Sequence, residues 1–120
     1  MPSSMYALAI LTAISLAIGQ LLFKIGAGQL NTASVSEFLG SALLNPILIG
    51  AVALYGATIL VWIYVLSKMP LSIAYPITGL AYIIVPILSY YILDEKMNLM
   101  LMAGSFFILI GISLVARSSL

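Results

Sequence analysis

Long apolar runs alternate with short polar connections along the chain, at about residues 5–23, 46–66, 71–93 and 99–116. A bilayer core about 30 Å thick requires roughly 20 apolar residues in a helix, and each run is close to that length. Unpaired backbone groups are costly in lipid, and none of the runs alternates with the period of two that a barrel strand needs. The pattern therefore predicts an all-α membrane protein with four transmembrane helices, in a single domain that covers residues 1–120.

The connections between the runs differ in length. "SKMP" (67–70) and "DEKMN" (94–98) are short, so the second, third and fourth spans are predicted to be tight antiparallel neighbours. The first connection is longer and contains "SVSE" (34–37), which has the spacing of a capping box. Apolar residues follow it at helical spacing, which predicts a short amphipathic helix at the membrane interface. The alternative is a mobile loop with a chance match.

The third run carries residues that are unusual in an apolar helix. At about 100° per residue, its polar and backbone-perturbing side chains fall within a sector of about 120°, opposite an apolar face. These residues are Ser72, Tyr75, Thr78, Gly79, Tyr82, Pro86 and Ser89. We interpret this span as the wall of a polar pathway, in which Tyr75, Thr78 and Tyr82 offer hydroxyls to a substrate.

Two prolines interrupt the hydrogen bonding of the same span. Pro76 and Pro86 lack an N–H, so each leaves the carbonyl four residues earlier without its helical donor. A free carbonyl at membrane depth needs a partner, which is a side chain, water or substrate. We predict that both prolines are hinge or kink positions, and the alternative is a kink that only improves packing.

The first span ends with Gln20 and Lys24, which are one helical turn apart and therefore adjacent. Lys24 alone is typical of a stop signal whose ammonium reaches the interface. Gln20 lies a turn deeper in the lipid, where a polar side chain is costly and is usually functional. We therefore predict that the two side chains together bind a phosphate or sugar oxygen at the membrane boundary.

The second and fourth spans carry weaker signals. Trp62 shares a sector of about 60° with Tyr55 and Thr58, where aromatic residues serve either packing or substrate binding, and we include Trp62 among the predicted substrate contacts. Gly104 and Gly111 lie on one face of the fourth span and allow close helix approach, which predicts dimer packing there.

Composition excludes several classes of protein. The chain is 64% hydrophobic and 6% charged, with a mean hydropathy of +1.28, which requires a bilayer as solvent. It has no cysteine, no histidine and three carboxylates, so we predict no enzymatic activity, no metal site and no cofactor. The net charge of +1 offers no basic patch to nucleic acid.

The basic residues leave the membrane orientation open. Lys68 and Arg117 fall on the side of the N-terminus, whereas Lys24 and Lys96 fall on the other side. Each side therefore has two basic side chains, and the positive-inside rule gives no preferred orientation. We hypothesise that the protein inserts in both orientations or pairs with an oppositely oriented partner.

Three segments resemble the drug/metabolite transporter superfamily: "IGQLLFK" (18–24), "MPLSIAYPITG" (69–79) and "LDEKMNLMLMAGSFFILIGISLV" (93–115). The last is similar to the EamA pattern, in which an acidic residue, here Glu95, precedes a glycine-containing helix. The resemblance covers nearly the whole chain except the first connection, and it implies a transporter.

Two short-chain branches of that superfamily compete. The small multidrug resistance exporters carry a glutamate eight residues before the lysine of the first helix and a tryptophan eight residues after the proline that opens the third. The corresponding positions here hold Leu16 and Thr78. The carboxylate and the aromatic platform of a cation and proton antiporter are therefore missing from these positions.

The other branch resembles this chain at both motifs. The small subunits of the aminoarabinose phosphoundecaprenol flippase share "GQ" before a lysine, which matches Gly19, Gln20 and Lys24, and "GIAYP", which matches residues 72–76 with serine for glycine. The resemblance implies a bacterial inner-membrane flippase for an undecaprenyl phosphate-linked sugar, in cell-envelope glycan or lipid A modification.

Two other functions stay open from the sequence. One is a proton-coupled exporter of small drugs or metabolites, with Glu95 or Asp94 supplying the coupling, and the other is a non-transporting partner of a glycosyltransferase. Four helices are few for enclosing an amphiphile, and alternating access usually uses two inverted repeats. We therefore predict an antiparallel dimer of eight helices, formed by two identical chains or with a similar small subunit.

Overall fold

A computed structural model describes residues 3–118 of the chain, and these residues fold into helices joined by short connections. The helices are α1 (Ser3–Ala27), α2 (Val35–Leu44), α3 (Pro46–Lys68), α4 (Leu71–Thr78), α5 (Ala81–Ile92) and α6 (Leu99–Ala116). Among the described residues, four segments are long and apolar enough to cross a membrane: α1, α3, the α4–α5 pair (Leu71–Ile92) and α6. The prediction of an all-α membrane protein with four transmembrane helices is confirmed over residues 3–118.

The first connection contains the predicted short helix, α2. The Ser34 hydroxyl accepts a hydrogen bond from the Glu37 backbone N–H at 3.2 Å, which caps the first turn of α2 as the capping-box spacing predicts. Asn45 then ends α2 and begins α3, because its Oδ1 accepts from the N–H groups of Ile47 and Leu48 at 3.0 and 3.1 Å. Since no linker separates the two helices, α2 is held directly at the end of a membrane-spanning helix.

The predicted third helix (71–93) is divided in two at Gly79 and Leu80. There the backbone N–H of Gly79 donates to the Pro76 carbonyl at 2.9 Å and that of Leu80 to the Ile77 carbonyl at 3.0 Å, which is the spacing of a 3₁₀ turn. A Cβ at position 79 would lie 2.8 Å from the Pro76 oxygen, so the tight turn requires glycine. The irregularity thus lies three residues after Pro76, whereas α5 continues through Pro86.

The core of the bundle forms around the first half of α1. Ala9, Ala13 and Ala17 are completely buried on one face of α1, and their small side chains allow α3, α4 and α5 to pack close to this helix. A cluster of buried residues joins the start of α1 to the end of α3, to α4 and to the second half of α6. It consists of Met5, Ala9, Val65, Met69, Ile73, Ala74, Ile77 and Ile112. The apolar face of α4 is part of this cluster, so the polar face of α4 is directed away from the core.

α6 lies at the edge of the bundle, where it packs against α4 and α5. Of its residues only Ile112 is buried. A Cβ added to Gly104 or Gly111 would meet no atom within 4 Å. The glycine face of α6 is therefore open to another helix or to lipid, and its role in dimer packing stays a prediction.

Candidate functional site

Three cavities follow one another along one side of the bundle, and neighbouring cavities share lining residues. We call them the Trp62 cavity, the Tyr82 cavity and the Lys24 cavity, and together the groove. Their volumes are about 480, 520 and 320 Å³. Tyr75 lines the first two, whereas Gln20 and Val85 line the last two.

The groove follows the depth of the bundle from one end to the other. Met5 near the start of α1 packs in one cluster with Met69 just after the end of α3, so α1 and α3 run antiparallel. The Trp62 cavity lies near that end. The Lys24 cavity lies near the opposite end, where α1 finishes and α5 turns toward α6. The three cavities therefore succeed one another along the depth of the bundle.

The predicted polar face of the third span lines the middle of the groove. The Tyr82 cavity is formed by Leu16, Gln20, Tyr55, Tyr75, Thr78, Ala81, Tyr82, Val85 and Pro86. Tyr75 and Tyr82 remain 66% and 72% exposed, so the cavity is open along one side of the chain. The structure thus brings the three predicted hydroxyl residues together with Gln20.

The 3₁₀ turn explains two lining residues that the helical wheel missed. On a continuous α-helix Ala81 and Val85 would lie about 240° and 280° from Tyr75, outside the polar sector. A 3₁₀ turn advances about 120° per residue, so roughly three residues of it rotate the following helix by ~60°. That rotation moves Ala81 and Val85 into the polar sector, and both line the Tyr82 cavity.

The hydroxyl of Thr78 is already used as a donor. Its Oγ1 donates to the Tyr75 carbonyl at 2.5 Å. That carbonyl needs another donor, because the Gly79 N–H bonds to Pro76 instead of Tyr75. Thr78 therefore completes the backbone at the helix interruption and offers the groove an acceptor oxygen.

Gln20 lies at the junction of the two deeper cavities and is hydrogen bonded across to α3. Its Nε2 donates to the Tyr55 hydroxyl at 2.6 Å, and that hydroxyl donates to the Leu16 carbonyl at 3.3 Å. The sequence pattern placed Tyr55 with Trp62 as a packing or binding residue and left it out of the predicted site. Its distance from Gln20 along the chain concealed the contact.

The Lys24 cavity contains one side chain of each charge. It is lined by Ala17, Gln20, Leu21, Lys24, Val85, Leu88, Ser89, Leu93 and Glu95. Asp94 has a positive φ of 55°, which turns the chain after α5, and the Glu95 N–H then donates back to the Ser89 carbonyl at 3.1 Å. This turn brings Glu95 to the cavity that holds Lys24 and Gln20.

Trp62 lines the other end of the groove, apart from Thr78 and Tyr82. Its ring centroid is 6.4 Å from that of Tyr75, and Pro76 lines the same cavity. Thr58, from the same sector of α3, is buried and donates to the Leu54 carbonyl at 2.8 Å. All six predicted substrate residues thus lie along the groove, and their contact with a substrate stays a prediction.

Curated relatives of this chain include subunits of a lipid flippase. ArnF of Shewanella sediminis (strain HAW-EB3), a probable 4-amino-4-deoxy-L-arabinose-phosphoundecaprenol flippase subunit, is 30% identical over 122 residues, which cover 90% of this chain and 84% of that protein. ArnE of Proteus mirabilis (strain HI4320), named as a probable subunit of the same flippase, is 36% identical over 72 residues, 60% of this chain and 64% of that protein.

The similarity extends to one further relative and to a whole family. Protein y4nH of Sinorhizobium fredii (strain NBRC 101917 / NGR234) is 33% identical over 101 residues, which cover 83% of this chain and 84% of that protein. No solved structure shows significant similarity to the chain. The sequence model of the EamA-like transporter family matches residues 4–117. With four membrane-spanning helices within residues 3–118 and this match over nearly its full length, the chain belongs to the EamA-like transporter family, as a multi-pass membrane transporter rather than an enzyme.

Proposed function

We propose that the protein flips an undecaprenyl phosphate-linked sugar between the leaflets of the bacterial inner membrane, for cell-envelope glycan or lipid A modification. The observation that carries this proposal is the groove, which has a polar wall, follows the depth of the bundle and is open along one side. The polar head group of such a lipid moves along the groove while its polyprenyl tail stays in the bilayer. The names of the ArnF and ArnE relatives support this cargo.

The chemistry of the groove suits an anionic head group. Hydroxyls and an amide line the middle, where a carboxylate would repel a phosphate and an unpaired charge would be costly. Lys24 lines the cavity at one end, which Glu95 also lines, and supplies the cation of the groove next to the Gln20 amide. A phosphate bound by Lys24 then has hydroxyl and amide partners for the sugar along the rest of the path.

The open side of the groove supports a dimer. Tyr75 and Tyr82 are mostly exposed in the single chain, and a second four-helix subunit against this side would enclose the head group. Eight helices in antiparallel arrangement would provide the two inverted repeats that alternating access uses. The open glycine face of α6, with Gly104 and Gly111, offers a close contact for assembly. Either an identical chain or a similar small subunit serves as the partner.

The test is flipping of undecaprenyl phosphate-linked 4-amino-4-deoxy-L-arabinose by the purified protein in liposomes. Lys24→Ala is expected to slow flipping about tenfold, because a charge-assisted contact to the phosphate is lost. Lys68→Ala is the matched control, since Lys68 ends α3 outside the residues that line the groove, and it should keep the wild-type rate. A Lys24→Ala protein that binds and flips the lipid like wild type would refute the phosphate role.

One observation favours the alternative of a proton-coupled exporter of small drugs or metabolites. Glu95 lines the same cavity as Lys24, which gives a titratable carboxylate to one end of the groove. Uptake of a cationic dye driven by a proton gradient, and lost in Glu95→Gln, would favour the exporter. Flipping of the lipid without a proton gradient would favour the flippase.

A further inference from the structure

The hydrogen bonds around Tyr55 determine the orientation of the Gln20 amide. A tyrosine hydroxyl carries one proton, and a backbone carbonyl offers only lone pairs. The Tyr55 proton is directed to the Leu16 carbonyl at 3.3 Å, so the Tyr55 oxygen accepts from Gln20 at 2.6 Å. One N–H of the Gln20 amide therefore donates to Tyr55, and its Oε1 remains as a free acceptor.

Tyr55 is itself held by the segment that carries Gln20. A Cβ on Gly19 would overlap the Tyr55 ring, so only glycine leaves room for the ring at this place on α1. Phe23 meets the same ring edge to face, at 5.1 Å between centroids and 73° between planes. The motif "IGQLLFK" of α1 thus packs around the Tyr55 ring of α3.

Gln20 is the residue at which the hydroxyl-lined cavity meets the charged cavity. It lines both the Tyr82 cavity and the Lys24 cavity, and its side chain is exposed. An acceptor one helical turn from Lys24 lies within reach of groups that neighbour a phosphate on the same head group. Its natural partners are hydroxyl or ammonium donors.

We propose that Tyr55 is a positioning residue that presents Gln20 Oε1 to the groove, and that this acceptor selects polyprenyl phosphates whose head group carries a hydroxyl-rich or amino sugar over those without a sugar. The inference rests on the proposed function and says that Tyr55 and Gln20 together recognise the sugar of the transported lipid. Without the Tyr55 hydroxyl the amide rotates, and a rotated amide presents donors and acceptor without preference.

The experiment compares two lipids on the full-length protein in nanodiscs: undecaprenyl phosphate, and the same lipid carrying 4-amino-4-deoxy-L-arabinose. Trp62 is the single tryptophan and lines the groove, so its fluorescence follows both titrations. Tyr55→Phe is expected to lower the preference for the sugar-bearing lipid about three- to tenfold, the loss of one hydrogen bond. Its affinity for undecaprenyl phosphate should stay at the wild-type value. Tyr64→Phe, on the same helix, is the control and should change neither affinity.

A second variant reaches the same contact from the other helix. Gly19→Ala displaces the Tyr55 ring and should reduce the preference as Tyr55→Phe does, whereas Gly50→Ala, where a Cβ meets no atom within 4 Å, should leave it unchanged. An unchanged preference in Tyr55→Phe, or an equal loss of affinity for both lipids, would overturn the inference. Wild-type protein that bound both lipids equally would also overturn the inference, but it would not contradict the flippase proposal. Wild-type protein that bound neither lipid would refute the inference and the flippase proposal together.

Discussion

One face of α1 meets the α4–α5 segment in two different ways along its length. In the first half, which we call the closed half, Ala9 and Ala13 are completely buried and α4 packs Ile73 and Ile77 into the core. In the second half, the open half, Gln20 and Lys24 occupy the continuation of the same face and line cavities with α5. The Tyr82 and Lys24 cavities of the groove thus lie where polar side chains replace alanines on α1 and where the 3₁₀ turn separates α4 from α5.

The closed half and the open half of α1 therefore have different roles. Small apolar residues in the closed half allow close packing, which stabilises the bundle. The open half leaves polar groups beside a cavity, where they add little packing but offer contacts to a head group. Substitutions in the closed half should therefore affect stability first, and substitutions in the open half should affect transport first.

The largest expected effect on stability is at Ile73, which is completely buried in the closed half. Ile73→Ala should reduce the free energy of unfolding by about 2–5 kcal/mol, through lost contacts and the cavity that remains. Equilibrium unfolding in mixed detergent micelles measures it. Ile63→Ala, at a position that is 56% exposed, is the control, and equal losses in both variants would contradict the closed packing.

Overpacking of the alanine face should have the next largest effect. Ala13→Leu adds three carbons where α1 has no free surface, and we expect a loss of about 1–3 kcal/mol in the same unfolding measurement. Ala7→Leu, on the exposed side of α1, should change stability by less than about 0.5 kcal/mol. A stable Ala13→Leu protein would show that α1 and its neighbouring helices separate easily.

Gly79 lies at the boundary between the halves, and its substitution should have an intermediate effect. Gly79→Ala places a Cβ 2.8 Å from the Pro76 carbonyl oxygen and should cost about 1 kcal/mol as the tight turn shifts. It should also slow flipping, because α5 rotates relative to the groove. Gly56→Ala, where a Cβ meets no atom within 4 Å, should be neutral or stabilising. Equal stabilisation by both substitutions would argue against a required tight turn.

The smallest change in stability is expected in the open half, at Tyr82. Tyr82→Ala should alter the free energy of unfolding by less than about 0.5 kcal/mol, since the side chain is 72% exposed, yet it should slow flipping severalfold. Tyr91→Ala is a matched control, because Tyr91 is 74% exposed and is not among the residues that line the groove. If Tyr82→Ala flipped the lipid at the wild-type rate, the proposed role of the groove hydroxyls in transport would be wrong.

Local patterns predicted much of the fold and part of the site. The four apolar runs predict four spanning segments because lipid leaves the backbone few other structures. "SVSE" predicts the cap of α2 because a serine oxygen and an N–H three residues later meet in any helix. The polar face with Tyr75, Thr78 and Tyr82 follows from helical periodicity alone, and the structure brings these residues to one cavity.

The remaining features depend on contacts between helices, which periodicity does not contain. The separation of α4 from α5 depends on the close approach of Gly79 to the Pro76 carbonyl, whereas the prolines alone suggested kinks at residues 76 and 86. The role of Tyr55 depends on how α3 crosses α1, since its partners Gly19 and Gln20 lie about 35 residues away along the chain. The spacing of Tyr55 is more often typical of packing than of binding, and only the crossing of α3 over α1 shows its hydrogen bond with Gln20.

The sequence by itself determined that this protein is a bundle of four membrane-spanning helices with one polar face, because hydrophobic length and helical period are local properties. Only the tertiary structure decided that this face meets Gln20 and Lys24 along one groove. It also decided that "IGQLLFK" packs around and hydrogen bonds to Tyr55 of α3. The physical reason is that a groove exists where neighbouring helices separate, and their separation is set by side chains that are distant in the chain.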